Sequence, residues 1–170
     1  MPTLVLIRHA KAEPPSDTSG DHDRSLTLKG RTSAAELADV LKEAGLVPDV
    51  VLVSSALRTQ LTWKLMQPTL GTTDVRVEEE LYETNVAGIR DLLVALEGEP
   101  GVVAIIGHEP TVSATAAHFA GPTSDTGALK RVAHGLPTGN AAVLEFQGPW
   151  SELDQHAANL TAIYSTQALY

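Results

Sequence analysis

The chain has 170 residues, a length that fits one domain able to bury its own core without disulfide or metal staples. Hydrophobic residues make up 43% and charged residues 19%, a globular composition that excludes wholesale disorder, and no apolar run is long enough to span a bilayer. The 12 basic and 21 acidic side chains leave a net charge of −9, which argues against a general nucleic-acid or anionic-membrane binder and, if evenly spread, against a phosphorylated substrate.

The charge is not evenly spread. Residues 1–60 hold seven basic and eight acidic side chains, whereas residues 61–170 hold five and thirteen. Cysteine is absent, so thiol nucleophiles, disulfides and cysteine-ligated zinc are excluded, and a reducing compartment fits. Met1-Pro2-Thr3 leads into an apolar run of four residues without the basic segment and longer apolar stretch of a secretory signal, so the expected location is the cytoplasm.

Leu4–Ile7 is the first of three short apolar runs that read as strands buried on both faces, the others being Val50–Val53 and Val102–Ile106. A polar loop with Pro14, Pro15 and Gly20 follows the first, with a turn at Asp21-His22-Asp23. A helix is then predicted from Thr27 as N-cap to about Ala44, stopped by Gly45. The second run leads into Ser54-Ser55, read as the cap of a helix carrying Leu57, Leu61 and Leu65 and ending before Pro68. A short strand near Val75–Val77 and a helix near Ile89–Leu96 come next, the helix closed by Gly98 and Pro100. The third run passes through Gly107 into a helix opened by Pro110. Alternation in Ala141–Phe146 and Leu160–Tyr164 predicts two late, half-exposed strands. Such alternation of strand and helix makes a single α/β domain over 1–170, a three-layer sandwich with an open, mostly parallel sheet and helices on both faces.

Ligands of open α/β sheets bind beyond the carboxyl ends of the strands. Those exits hold Arg8-His9, Ser54 to Arg58, and Gly107-His108. Arg58 falls in the first turn of its helix, where the macrodipole disfavours a cation unless an anion is bound or a carboxylate pairs with it. Two arginines and two imidazoles, without a Walker-type glycine loop or a carboxylate-rich metal site, suit phosphoryl transfer through histidine. Neutral imidazole is a nucleophile near its ordinary pKa of ~6.5, and guanidinium forks match phosphoryl oxygens. The expected metal and cofactor content is none.

Leu4-Val5-Leu6-Ile7-Arg8-His9-Ala10-Lys11 resembles the opening block of the histidine phosphatase superfamily, which includes phosphoglycerate mutases. Asp21 to Thr27, Ser54 to Thr59 and Gly107 to Pro110 are similar to successive blocks of its small SixA-like phosphohistidine phosphatase branch, over most of the chain up to about Phe146. The resemblance implies a phosphoglycerate mutase-like fold, with His9 as the nucleophile that becomes phosphorylated. Arg8, Arg58 and a protonated His108 would hold the phosphoryl oxygens. Glu83 stands where mutase-like branches carry a proton donor, with Glu80 as its rival; the competing reading makes Glu78, Glu79, Glu80 and Glu83 a solvated acidic edge.

Ala12 and Pro15 occupy positions where many sugar-phosphate members carry serine and asparagine, which weakens a mutase reading. The length leaves little room for a lid. The expected activity is therefore metal-independent dephosphorylation of phosphohistidine in a protein, such as a phosphotransfer domain, with inorganic phosphate as product. A small phosphate-ester phosphatase and a non-catalytic phosphate-binding module are the alternatives, and neither nucleic acid nor membrane is an expected partner.

Overall fold

Each of the three buried runs is a strand: β1 (Thr3–Arg8), β2 (Val50–Ser54) and β4 (Val102–Gly107). With β3 (Val75–Glu78), β5 (Ala141–Phe146) and β6 (Ala158–Tyr164) they form one six-stranded sheet in the order β3-β2-β4-β1-β5-β6. β1, β2, β3 and β4 run parallel, while β5 and β6 are antiparallel to their neighbours. The computed structural model describes residues 1–166, so the last four residues of the expected domain lie outside the described residues.

Side chains of a strand alternate between faces, and here both faces are covered. Val5, Ile7, Val51, Val53, Ala104 and Ile106 meet α1 (Leu28–Glu43) and α2 (Leu57–Leu70) through Leu37, Leu41, Trp63 and Met66. Leu4, Leu6, Leu52, Val103 and Ile105 meet the opposite layer of α3 (Val86–Val94), α4 (Thr111–Phe119) and α5 (Thr126–Ala133) through Leu93, Val112, Phe119 and Val132. Burying a side chain of this size stabilises the fold by roughly 1.5–3 kcal/mol, so a period of two with both phases apolar is enough to make a central strand.

Several local expectations are corrected. Thr27 caps α1 as predicted, its side chain accepting from the Gly30 N–H. The α2 N-cap, however, is Ala56, with no side-chain cap, because Ser54 and Ser55 turn their hydroxyls toward histidines instead. α2 also runs through Pro68 to Leu70; a proline costs one hydrogen bond in a last turn, and left-handed Gly71 is the true stop. Pro110 is the N-cap of α4 rather than its first residue, and α3 ends at Val94 before Gly98 is reached. β5 is not half-exposed: it lies between β1 and β6 and is buried on both faces, and only the edge strand β6 shows alternation. α5 was not anticipated; it is one short helix capped by Asp125, with Gly127 in its first turn.

Candidate functional site

Parallel register assembles the site. Arg8 lies opposite Gly107, so His9 and His108 are the first residues past two adjacent strands, and their ring centroids are 5.5 Å apart. β2 flanks β4 on its other side, delivering Ser54 and, in the first turn of α2, Arg58. Because β5 runs back along β1, residues 134–140 arrive at this same end of the sheet.

His9 is 6% exposed. Its Nδ1 donates to the Ala10 carbonyl at 2.7 Å, since a carbonyl can only accept, and Nε2 is left with the free lone pair. Burial pushes its pKa down to about 3, with His108, Arg58 and Arg8 acting in the same direction against the Ala10 hydrogen bond. The Ala10 N–H in turn donates to Thr62 Oγ1 at 3.0 Å, and Thr62 donates to the Arg58 carbonyl at 2.7 Å. One fully buried hydroxyl thus fixes the spacing between the loop carrying His9 and the helix carrying Arg58.

Arg8 donates through Nη1 to the Leu136 carbonyl at 2.9 Å, and the Leu136 N–H donates to Glu109 Oε2 at 3.1 Å. Glu109 also accepts from the N–H and hydroxyl of Ser113, joining the first turn of α4 to the peptide that holds Arg8. Burial lowers the Arg8 pKa, the Glu109 carboxylate opposes that shift, and Arg58 adds repulsion. Arg58 is 6% exposed and donates to Asp21 twice, from Nη1 to its carbonyl at 2.8 Å and from Nη2 to its carboxylate at 3.2 Å. The carboxylate partner considered for Arg58 therefore exists. Asp21 also accepts from Tyr82 OH at 2.5 Å and from Arg24 Nε at 3.0 Å, and the Tyr82 bond and then Arg58 hold its carboxyl down at about 2.

His108 Nε2 is 2.7 Å from Ser54 Oγ. Burial first, then the Arg58 charge, lowers the His108 pKa to about 4 against the pull of Asp21, so the protonated His108 that the resemblance implies needs the added negative charge of a phosphoryl group. Arg8 Nε, Arg58 Nε and His108 Nδ1 are buried with no hydrogen-bond partner among the described residues. Unpaired buried polar atoms are rare and concentrate where a fold serves function rather than its own stability.

The structure thus brings Arg8, His9, Arg58 and His108 together. Glu83, the expected proton donor, is exposed beside Tyr82 and makes no side-chain hydrogen bond among the described residues; Glu80 is exposed too. Asp21, Ser54, Tyr82 and Glu109 were missed as site residues, although Asp21 and Ser54 lie inside the motif blocks. No group of three or more His, Cys, Asp or Glu is placed to hold a metal ion among the described residues, the Asp21-His22-Asp23 run included; that run is a 3-10 turn.

Residues 4–97 match the family described as the histidine phosphatase superfamily, branch 1. An uncharacterised protein of Mycobacterium leprae is 31% identical over 163 residues, covering 93% of this chain and 98% of its own. Among solved structures, the protein designated SixA from Nakamurella multipartitia superposes with a TM-score of 0.82 at 32% identity, covering 98% of this chain and 96% of that one. The protein designated SixA from Agrobacterium tumefaciens gives a TM-score of 0.81 at 27% identity, covering 98% and 99%.

Proposed function

The chain belongs to the histidine phosphatase superfamily, on its SixA-like side, and from that premise we propose that it is a metal-independent phosphatase whose substrate is phosphohistidine in a protein. The observation that carries the mechanism is the state of His9: a buried, neutral ring whose Nδ1 is committed to Ala10, whose Nε2 lone pair is free, and on which the charges of Arg58 and Arg8 act. Nε2 attacks phosphorus in line, the P–N bond to the substrate imidazole breaks, and that imidazole departs with the electron pair and takes a proton from solvent. Water then displaces His9 from phosphorus and inorganic phosphate leaves. Arg8 and Arg58 hold the phosphoryl oxygens through charge-assisted bonds, and an arriving dianion draws a proton onto His108. Glu83 has no part in this sequence, because an imidazole leaving group needs no dedicated acid.

The likeness to two proteins designated phosphohistidine phosphatases supports phosphohistidine as the substrate, and a mouth bordered by the exposed Asp21 and His22 and by Tyr82 suits a phosphorylated side chain on a protein surface. The test is incubation in EDTA with a phosphohistidine protein, a phosphoserine peptide and p-nitrophenyl phosphate, followed by acid-free trapping of labelled phosphate on the enzyme. Turnover of the first substrate and a label lost in His9→Ala are expected. Equal activity in His9→Ala, or binding of phosphate without turnover, overturns the reading.

A further inference from the structure

Four aromatic rings make a continuous row from the surface to the nucleophile. His22 meets Tyr82 edge-to-face at 4.8 Å, Tyr82 meets His108 edge-to-face at 5.7 Å, and His108 meets His9 at 5.5 Å. Tyr82 is the middle of this row and also packs its ring 5.9 Å from the Arg58 guanidinium carbon. Its placement is firm. Leu81, only 2% exposed, anchors the 3-10 turn that precedes Tyr82, the Tyr82 N–H closes that turn on the Glu79 carbonyl, and Thr111 of α4 donates to the Thr84 carbonyl just beyond. The hydroxyl is held by Asp21, so the ring cannot swing out without breaking the bond that also organises Arg58.

In phosphoryl transfer the leaving group departs in line, opposite the attacking atom. With His9 Nε2 attacking from the floor of the site, the leaving group lies toward the mouth, which is where His22 and Tyr82 stand half-buried or exposed. Aromatic walls favour planar π partners over aliphatic ones of the same size. Resting on the proposed phosphatase reading, we propose that Tyr82, flanked by His22, is a specificity-determining residue forming a leaving-group subsite for a planar ring, an imidazole or an arene, attached to the transferred phosphoryl group. The hydroxyl and the ring have separate tasks: the first steadies Asp21 and Arg58 for every substrate, the second discriminates between leaving groups.

Two phosphoramidate peptides of one sequence, carrying phosphohistidine or phospholysine, separate these tasks because both break a P–N bond and only one leaving group is planar. The ratio of their kcat/KM values in Tyr82→Leu is expected to fall about threefold to tenfold from wild type, and to hold in Tyr82→Phe. In the unmodified protein, phenylphosphonate is expected to inhibit p-nitrophenyl phosphate turnover at a lower concentration than cyclohexylphosphonate. An unchanged ratio in Tyr82→Leu, an equal fall in Tyr82→Phe, or equal inhibition by the two phosphonates overturns the subsite while leaving the phosphatase reading intact. A wild-type protein that turns over neither peptide nor p-nitrophenyl phosphate overturns the phosphatase reading itself.

Discussion

Burial decides the protonation of the two central imidazoles more than their mutual distance does, and that has a consequence for the whole fold. His9 and His108 hold protons in the folded state only below about 3 and about 4, whereas an unfolded imidazole does so below ~6.5. Between those values the unfolded chain binds more protons, so stability is full above about pH 6.5 and declines as pH falls toward 3. Asp21, held at about 2, adds a further loss as pH drops below the ordinary carboxyl range. Urea midpoints at pH 7 and pH 4.5 should show the decline, with a shallower slope in His9→Gln; a flat midpoint would contradict neutral burial. Thr62 gives a second expectation at this scale. Thr62→Val keeps the shape but leaves the buried Ala10 N–H without an acceptor, which costs about 1–3 kcal/mol. The same change frees the His9 loop from α2, so kcat for any phosphate substrate should fall with the urea midpoint, and a variant of wild-type stability would show that water replaces the hydroxyl.

At the scale of elements, α1 touches the site from behind. A Cβ on Gly30 would collide with the Lys11 carbonyl oxygen, which already accepts from the Thr27 N–H, so helix and loop meet backbone to backbone two residues past His9. Gly30→Ala therefore costs about 1–3 kcal/mol by overpacking, read as a lowered denaturation midpoint, and shifts the His9 loop enough to lower kcat; an unchanged midpoint would mean that the helix slides without cost. The strands were legible because burial on both faces writes itself as unbroken apolar runs, and the four central site residues because they stand at strand exits. Ser54 was misread because a serine before a helix has two uses, capping and reaching across, and only the sheet order puts His108 2.7 Å away. Glu109 and Leu136 were illegible for a related reason: Arg8 is joined to Glu109 through the backbone of Leu136, which lies 128 residues beyond Arg8, and nothing local encodes that link. α5 does carry a helical pattern, with Ala128, Leu129 and Val132 on one face behind the Asp125 cap, but eight residues with a glycine in the first turn are too few for that spacing to exclude a loop.

For the whole molecule, the net charge of −9 and the cationic site act at different ranges. At an ionic strength of about 0.01 M the screening length of about 30 Å spans the protein, so a free dianionic ester meets a net repulsion; near 0.15 M it is about 8 Å and the ester meets only the guanidiniums. kcat/KM for such an ester should therefore rise across that range, and a steady fall would show that the field of Arg8 and Arg58 prevails even at long range. The sheet order carries one more consequence. β1 is made first yet sits between β4 and β5, pairing Thr3 with both Val102 and Glu145. Such distant pairings pay their loop-closure entropy before any contact is gained, and they make for slow folding. During synthesis the apolar first strand must wait, unpaired, for about a hundred residues before its first neighbour emerges, and longer for its second. A chain interrupted before Leu136 would contain every arginine and histidine of the site and still lack the carbonyl that aims Arg8, so the site is assembled only once the segment beyond residue 136 has been made.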